Sequence, residues 1–510
     1  MPVGALSSAC DLIDRGGRAV SVLAIDAGTT GVTALIVGED GSILARGYEE
    51  FQQHFPRPGW VEHEPEQIWQ AVLSACRQAL DGQSPTCIGV TNQRETAVLW
   101  DRATLAAPRR ALVWQDRRTA ALCTRLHEQG HEDRVSTLTG LRLDPYFTAT
   151  KLMWLAENDE RAWSGVRDGS TAVGTVDSYL VARLTGGARH VTDPSNASRT
   201  LLYDTFAGDW SGEMCEQFGV PQEALPALVP NSGEIGRTDP EAFLGYSLPI
   251  TGMAGDQQAA LFGQACFADG QSKCTYGTGS FVLVNTGANP VRSEHGLLTT
   301  VAWDIGGTLT YALEGAIFVT GAAVQWLRDG LGIIDRAPEI EGLAGTVADS
   351  GGLVFVPALT GLGAPDWDPH ARGTIVGITR GTTRAHLARA TLEAIAFEVR
   401  DVVDVMTRDA RLELSELSVD GGASANDLLC QLQADQLAVP VRRPQITETT
   451  ALGAAFLAGL GTGVWSSTAE LADTWKLDRR FTPVTGARDD GRHARWRAAV
   501  DRSRDWAEDD

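Results

Sequence analysis

Lysine is nearly missing from this chain. Only Lys151, Lys273 and Lys476 occur among 43 basic residues, so arginine carries almost all the positive charge. Acids outnumber bases by 65 to 43, for a formal charge of -22. That balance argues against nucleic acid or an anionic membrane as the main partner, since both are polyanions. No apolar run reaches the roughly 18 residues of a membrane span. The eight cysteines are scattered and none form a C-x-x-C pair, which speaks against zinc or a disulfide framework. Each reads as a small buried apolar residue in a reducing cytoplasm. The G-x-x-x-x-G-K-[ST] phosphate loop is also absent. The opening "MPVGALSSACDLIDRGGRAV" has acids and no sustained apolar stretch. Residues 1–20 therefore read as a poorly ordered leader, not a signal peptide.

What is present suits an α/β protein. The chain has 510 residues, 43% of them hydrophobic, enough for a sizeable core and two or more domains. Strand-like and helix-like segments alternate throughout. "SVLAIDAG", "TALIVGED" and "GSILARGYEE" read as consecutive strands, and "CIGVTNQRE" as a buried strand with a polar end. Leu387, Ala388, Leu392, Ile395, Val399, Val402 and Met406 are spaced by threes and fours, the stripe of one long amphipathic helix. The second half repeats the theme. "CTYGTGSFVLVNTG" is strand, turn, strand, and "LSVDGGASANDLLCQLQADQL" is strand, paired glycines, helix. The segment "GDQQAALFGQACFADG" reads as a helix before that second hairpin. Two lobes are expected, 21–265 and 266–510, each turning a glycine-bearing hairpin toward a cleft.

Asp26 closes a buried strand, and Gly28, Thr29 and Thr30 follow it. Backbone N–H groups and hydroxyls in such a turn can hold phosphate. An acid beside phosphate needs a cation between them, and magnesium takes one or two carboxylates with phosphate oxygens and water. An ordinary hairpin explains the same residues. A second turn, Gly277-Thr278-Gly279, makes a nucleotide clamp from the pair. Gly421, Gly422 and Asn426 would admit an adenine ring or ribose close to the backbone, or simply turn a strand into a helix. Arg94 and Glu95 can hold one hydroxyl by donating and accepting, or form a structural ion pair. Trp114, Tyr146 and Phe147 offer an apolar wall with a polar tip, or belong to the core. Asp256 is a good helix-start residue and equally a proton acceptor for an alcohol.

Long strings then carry a resemblance. They include "PRPGWVEHEP", "TNQRET", "VWQDRR", "TGLRLDPYF", "VTDPSNASRT", "GMAGDQQAALFGQ", "TYGTG", "ALEGAIFVTGAAVQWLRD", "TGLGAPDWDPHARG", "VDGGASAN" and "TALGAAFLAGL". From about Ser21 to about Trp475 the chain resembles the FGGY family of carbohydrate kinases, most closely its glycerol-phosphorylating members. The resemblance implies a two-lobed, actin-like sugar-kinase ATPase fold with ribonuclease H-like lobes. It implies ATP:glycerol 3-phosphotransferase activity, yielding sn-glycerol 3-phosphate and ADP in glycerol catabolism. Arg94, Glu95, Tyr146, Asp256 and Gln257 would hold glycerol's hydroxyls, and Trp114 and Phe281 would wall its carbons. Asp256 would be the general base. Asp26 would organise Mg²⁺ through water. Thr29, Thr30, Gly31, Thr278, Gly321, Gln325, Gly422 and Asn426 would contact ATP. A homo-oligomer, dimer or tetramer, in the cytoplasm is expected.

The first phosphate turn departs from the family pattern: Thr33 stands where an arginine usually reaches the phosphates, and Ala27 where glutamine is usual. The segment "RTDPEAFLGYS" lacks the arginine-bearing loop used elsewhere for sugar-bisphosphate inhibition, so that regulation is not expected. A kinase of the same fold for another polyol or sugar, such as xylulose, is the alternative. A non-catalytic actin-like ATP-binding module is the remote one, and it would have no use for an alcohol-holding constellation.

Overall fold

The computed structural model describes residues 20–489 and 491–507. Of the expected leader only Val20 is described, and it is buried; residues 1–19 lie outside the described residues. Thirteen strands of the described residues form one continuous sheet. From one edge the order is Leu477–Phe481, Val441–Pro444, Leu417–Asp420, Ser272–Tyr276, Ser280–Gly287, Thr308–Ile317 and Leu298–Ile305. It continues through Ser232–Arg237, Pro249–Gly255, Cys87–Asn92, Ser21–Ala27, Gly31–Gly38 and Ile43–Glu50. The two halves of this sheet meet through a single pairing, Ser232 with Ile305.

The central strands are covered on both faces, so they read as apolar runs rather than alternations. In Ser21–Ala27 every residue is buried except Asp26, which is half-buried. Helix Pro65–Ala79 starts on a proline, which suits its first turn, and lays Ile68, Trp69, Val72 and Cys76 on the first half of the sheet. The expected long helix spans Arg384–Ala410. The Thr383 N–H donates to His386 Nδ1 at 3.2 Å to cap it. Its buried stripe contains Ala388, Leu392, Ile395, Val399, Val402 and Met406, while Leu387 sits on the shoulder, partly buried. All seven described cysteines are free and buried.

Register decides where the functional residues emerge. In three neighbouring parallel strands Ala27 pairs with Asn92 and Asn92 with Gly255. Asp26, Arg94, Glu95 and Asp256 therefore leave the carboxyl ends of adjacent strands at one rim, where open α/β sheets bind ligands. In the other half Thr275 pairs with Asp420, so the Gly277–Gly279 turn and the Gly421-Gly422 pair also lie side by side.

Helix Asp256–Gly263 is braced from far along the chain. Helix Thr449–Thr462 packs against it and against the first-half strands through Ala451, Ala454, Ala455 and Ala458. A Cβ on Gly453 would lie 1.8 Å from the Ala259 carbonyl oxygen. Glycine there lets the two backbones touch.

Candidate active site

Asp256 is the first residue of its helix, and its Oδ1 accepts the Gln257 N–H at 2.7 Å. The same oxygen lies 3.1 Å from Arg94 Nε. Burial raises the Asp256 pKa, against the opposing charges of Arg94 and Lys273. Its side chain keeps 28% of its surface exposed.

Arg94 is fully engaged. Its two terminal nitrogens form a fork on Glu314, at 2.5 and 3.1 Å, and also reach Gln258 Oε1 at 3.2 Å and Tyr146 Oη at 3.4 Å. Arg199 reaches Glu95 and Glu314 at 2.8 Å each. Arg94 and Glu95 are 3.8 Å apart, so each has a nearer partner of opposite charge than the other. The expected pair is thus half of a four-charge network in which arginine and glutamate alternate, and all four are buried. Burial alone would raise the Glu314 pKa, but Arg199 and Arg94 outweigh it and hold the carboxyl low. For Glu95 burial prevails over Arg94 and Arg199, and its pKa is raised.

The aromatic wall is built from both halves. Trp114 meets Tyr146 edge-on at 5.6 Å and Phe281 at 6.4 Å, and the Arg94 guanidinium lies 5.7 Å from the Phe281 ring centre. Phe147 does not join this wall. It is fully buried behind Tyr146, ring centres 5.0 Å apart, and belongs to the core.

The first glycine-threonine turn is tied to that wall by a closed ring of hydrogen bonds. Trp114 Nε1 donates to Thr29 Oγ1 at 3.0 Å, and the Trp114 N–H donates to Thr96 Oγ1 at 3.2 Å. Thr96 Oγ1 donates to Gln93 Oε1 at 2.9 Å, and Gln93 Nε2 donates to the Gly28 carbonyl at 3.0 Å. Thr29 accepts from the indole, so its own hydroxyl proton remains to be given elsewhere. Thr30 is exposed at the tip, and Gly31 leaves room for the Glu49 carbonyl, which a Cβ would approach to 2.7 Å. Burial and then the charge of Asp256 push the Asp26 pKa up to about 7. Thr33 stands directly across the hairpin from Asp26, so the position of the missing arginine adjoins this acid.

Thr278, Gly321, Gln325, Gly422 and Asn426 all line one cavity of about 320 Å³ in the second half. Val324, Ile340, Leu392, Ile395 and Leu429 give it apolar walls suited to a flat ring. The Gly321 N–H donates to the Gly277 carbonyl at 3.0 Å, and a Cβ on Gly321 would lie 2.6 Å from that oxygen. Gly421 has φ +80° and presses on the Tyr276 carbonyl, which a Cβ would approach to 2.5 Å. Asn426 caps the following helix, accepting the Leu429 N–H at 2.9 Å.

Glu314, Arg199, Lys273 and Gln93 complete the site and were not singled out from the sequence. Glu314 left the clearest signal: an acid inside the apolar run "YALEGAIF" demands a buried counter-charge. Lys273 Nζ bonds Gln257 Oε1, and Thr275 Oγ1 at 2.8 Å, from a fully buried position.

Known proteins resemble this chain over nearly its whole length. Sequence models for the N-terminal and C-terminal domains of the FGGY family of carbohydrate kinases match residues 21–263 and 272–462. A glycerol kinase of Aromatoleum aromaticum is 54% identical over 491 residues, covering 95% of this chain and 99% of that one. One from Dechloromonas aromatica is 54% identical over 492 residues, covering 95% and 98%. Among solved structures, the Plasmodium falciparum glycerol kinase with ADP superposes with a TM-score of 0.88 at 34% identity, covering 95% of this chain and 98% of that chain.

Proposed function

The chain belongs to the FGGY family of carbohydrate kinases, and from that membership we propose its reaction: transfer of the terminal phosphoryl group of ATP to a primary hydroxyl of glycerol, giving glycerol 3-phosphate and ADP. Its fold is the two-domain mixed α/β fold of the family, consistent with the actin-like ATPases. The observation that carries the reading is the Asp256 carboxylate. It stays partly exposed 3.1 Å from Arg94, whose guanidinium in turn meets Tyr146 and Phe281 of the aromatic wall.

Phosphoryl transfer needs positioning and charge stabilisation more than covalent help. Glycerol's carbons would rest on Trp114 and Phe281, with its hydroxyls on Arg94, Glu95, Tyr146, Asp256 and Gln257. Asp256 would take the proton of the attacking hydroxyl, an effect worth about 10²–10⁴-fold. A polyol lacking one hydroxyl would bind poorly, because buried polar groups would stay unpaired. Thr29, Thr30 and Gly31 would meet the phosphates from one side and Thr278 from the other. Gly321, Gln325, Gly422 and Asn426 would hold the nucleoside end.

Asp26 fits a magnesium ion held through water. It makes no ion pair among the described residues, and its raised pKa marks a carboxylate short of positive charge. When bound, magnesium would offset the phosphates' negative charge. Among the described residues no helix is long and apolar enough to cross a membrane. A cytoplasmic location and a homo-oligomer belong to the same proposal, to be tested by cell fractionation and light scattering.

Purified protein with MgATP should release ADP only when glycerol is added. Comparable release without glycerol, or a clear preference for xylulose, would overturn the reading.

A further inference from the structure

Two of the three lysines have no exposed surface. Lys151 Nζ donates to three consecutive carbonyls, Pro145 at 2.8 Å, Tyr146 at 2.6 Å and Phe147 at 3.2 Å. Lys273 Nζ donates to Gln257 Oε1 and to Thr275 Oγ1. A chain that otherwise uses arginine thus keeps a compact ammonium at two buried points where several oxygens converge. A planar guanidinium does not match that need.

Strand register brings Lys273 to its place. Lys273 pairs with Leu283, and Leu283 pairs with Glu314 on the next strand, so all three point to one face of the sheet. Gln257 stands in the first turn of helix Asp256–Gly263 on that side, itself buried. An amide has one accepting and one donating end. An ammonium only donates, so it selects the oxygen of Gln257 and leaves Nε2 as the end that can face a substrate.

We propose that Lys273 is a positioning residue for the acceptor: it orients the Gln257 amide so that Nε2 donates to one hydroxyl oxygen of the polyol, and so makes that hydroxyl a requirement. The proposal rests on the glycerol-phosphorylating reading above. Glycerol-dependent ADP release by the unaltered enzyme is therefore measured first, and its absence would fell that reading together with this one.

The test compares glycerol with propane-1,2-diol and propane-1,3-diol, each lacking one hydroxyl, in the unaltered enzyme, Lys273→Met, Gln257→Leu and the double variant. Lys273→Met should raise KM for glycerol about tenfold, as loss of one well-placed hydrogen bond does, with a smaller change in kcat. The preference for glycerol over one of the diols should shrink by the same factor as in Gln257→Leu. The double variant should lose no further preference, the mark of two residues acting as one unit. A merely structural lysine would instead depress kcat and thermal stability and leave the preference intact, which would overturn the proposal. Should Lys273→Met not fold, Thr275→Val carries the test, since it removes the second anchor of the ammonium and keeps the charge. A partial loss of the same preference there supports the proposal, and an unchanged preference refutes it.

Discussion

Asp256→Asn removes a charge and keeps a shape. The amide oxygen can still accept the Gln257 N–H that now lies at 2.7 Å, so the first turn of the helix should hold. What disappears is a proton acceptor of carboxylate strength. General-base assistance of about 10²–10⁴-fold corresponds to about 2.7–5.5 kcal/mol of barrier, and kcat should fall by that factor. Nucleotide binding should not fall with it. The cavity proposed for the nucleotide is lined by Thr278, Gly321, Gln325, Gly422 and Asn426, none of which contacts Asp256 through a hydrogen bond. The phosphate side should even gain slightly. Burial and then the charge of Asp256 hold the Asp26 pKa near 7; deleting that charge lets Asp26 ionise more fully at neutral pH. Steady-state ADP release gives kcat, and calorimetric titration of ADP with and without magnesium gives affinity. A kcat loss below tenfold, or ADP affinity weakened more than tenfold, would refute the assignment.

Glu314→Gln leaves Arg94 and Arg199 one buried carboxylate short, and one-sided loss from such a pair costs about 3–5 kcal/mol; a destabilisation under 1 kcal/mol in urea titration would contradict the network. Trp114→Phe keeps a ring against Tyr146 and Phe281 and deletes the indole N–H on Thr29. One such bond is worth about 1 kcal/mol, so KM for ATP should rise roughly fivefold with KM for glycerol within about twofold; equal shifts in both would count against the ring. His63 is fully buried beside Gln93, and burial together with nearby His54 pushes its pKa down to about 4. Above pH 6.5 it is neutral folded or unfolded; below that the unfolded chain takes up a proton that the folded one refuses until about pH 4. Stability should therefore drop by up to about 3 kcal/mol over that window. His63→Asn should remove about 2 kcal/mol of the decline between pH 7 and 5, measured by urea unfolding at both pH values, and an unchanged slope would refute the sign.

The parts legible in the sequence are those whose chemistry is local. An acid at a strand end followed by Gly and Thr announces a turn, and Asp26, Gly28 and Thr29 are where that pattern puts them. Threes and fours of apolar residues announce a helix, and the 384–410 helix follows them. Thr278 and Gly422 read as turn residues and prove to face one cavity. Phe147 misled because an aromatic beside Tyr146 shares its neighbourhood but points the other way. The partners of Glu314 were illegible for a different reason. An acid inside an apolar strand demands a buried counter-charge without saying which residue supplies it, and Glu314 finds Arg94 across 220 positions of sequence and Arg199 across 115. The brace from Thr449–Thr462 was hidden likewise: alanines and glycines predict an apolar helix, not which helix it touches.

The same long-range pairs constrain how the cleft can open. Arg94 and Arg199 come from the first half of the chain, and Glu314 from the second, so their bonds cross the junction. Separating them would leave each buried charge without its partner, a cost of about 3–5 kcal/mol. A hinge that broke this network on every turnover would have to supply that energy each time. A hinge that pivots around it would not. The two glycine-threonine turns lie at strand ends beyond the network, and the sheet joins its halves by the single Ser232–Ile305 pairing, which sits beside the Gly306-Gly307 turn at the opposite end of strand Thr308–Ile317 from Gly277–Gly279. Opening should therefore swing the turns apart while Arg94, Glu314 and Arg199 stay bonded, so that Arg94 keeps its aim on Asp256 in both open and closed forms.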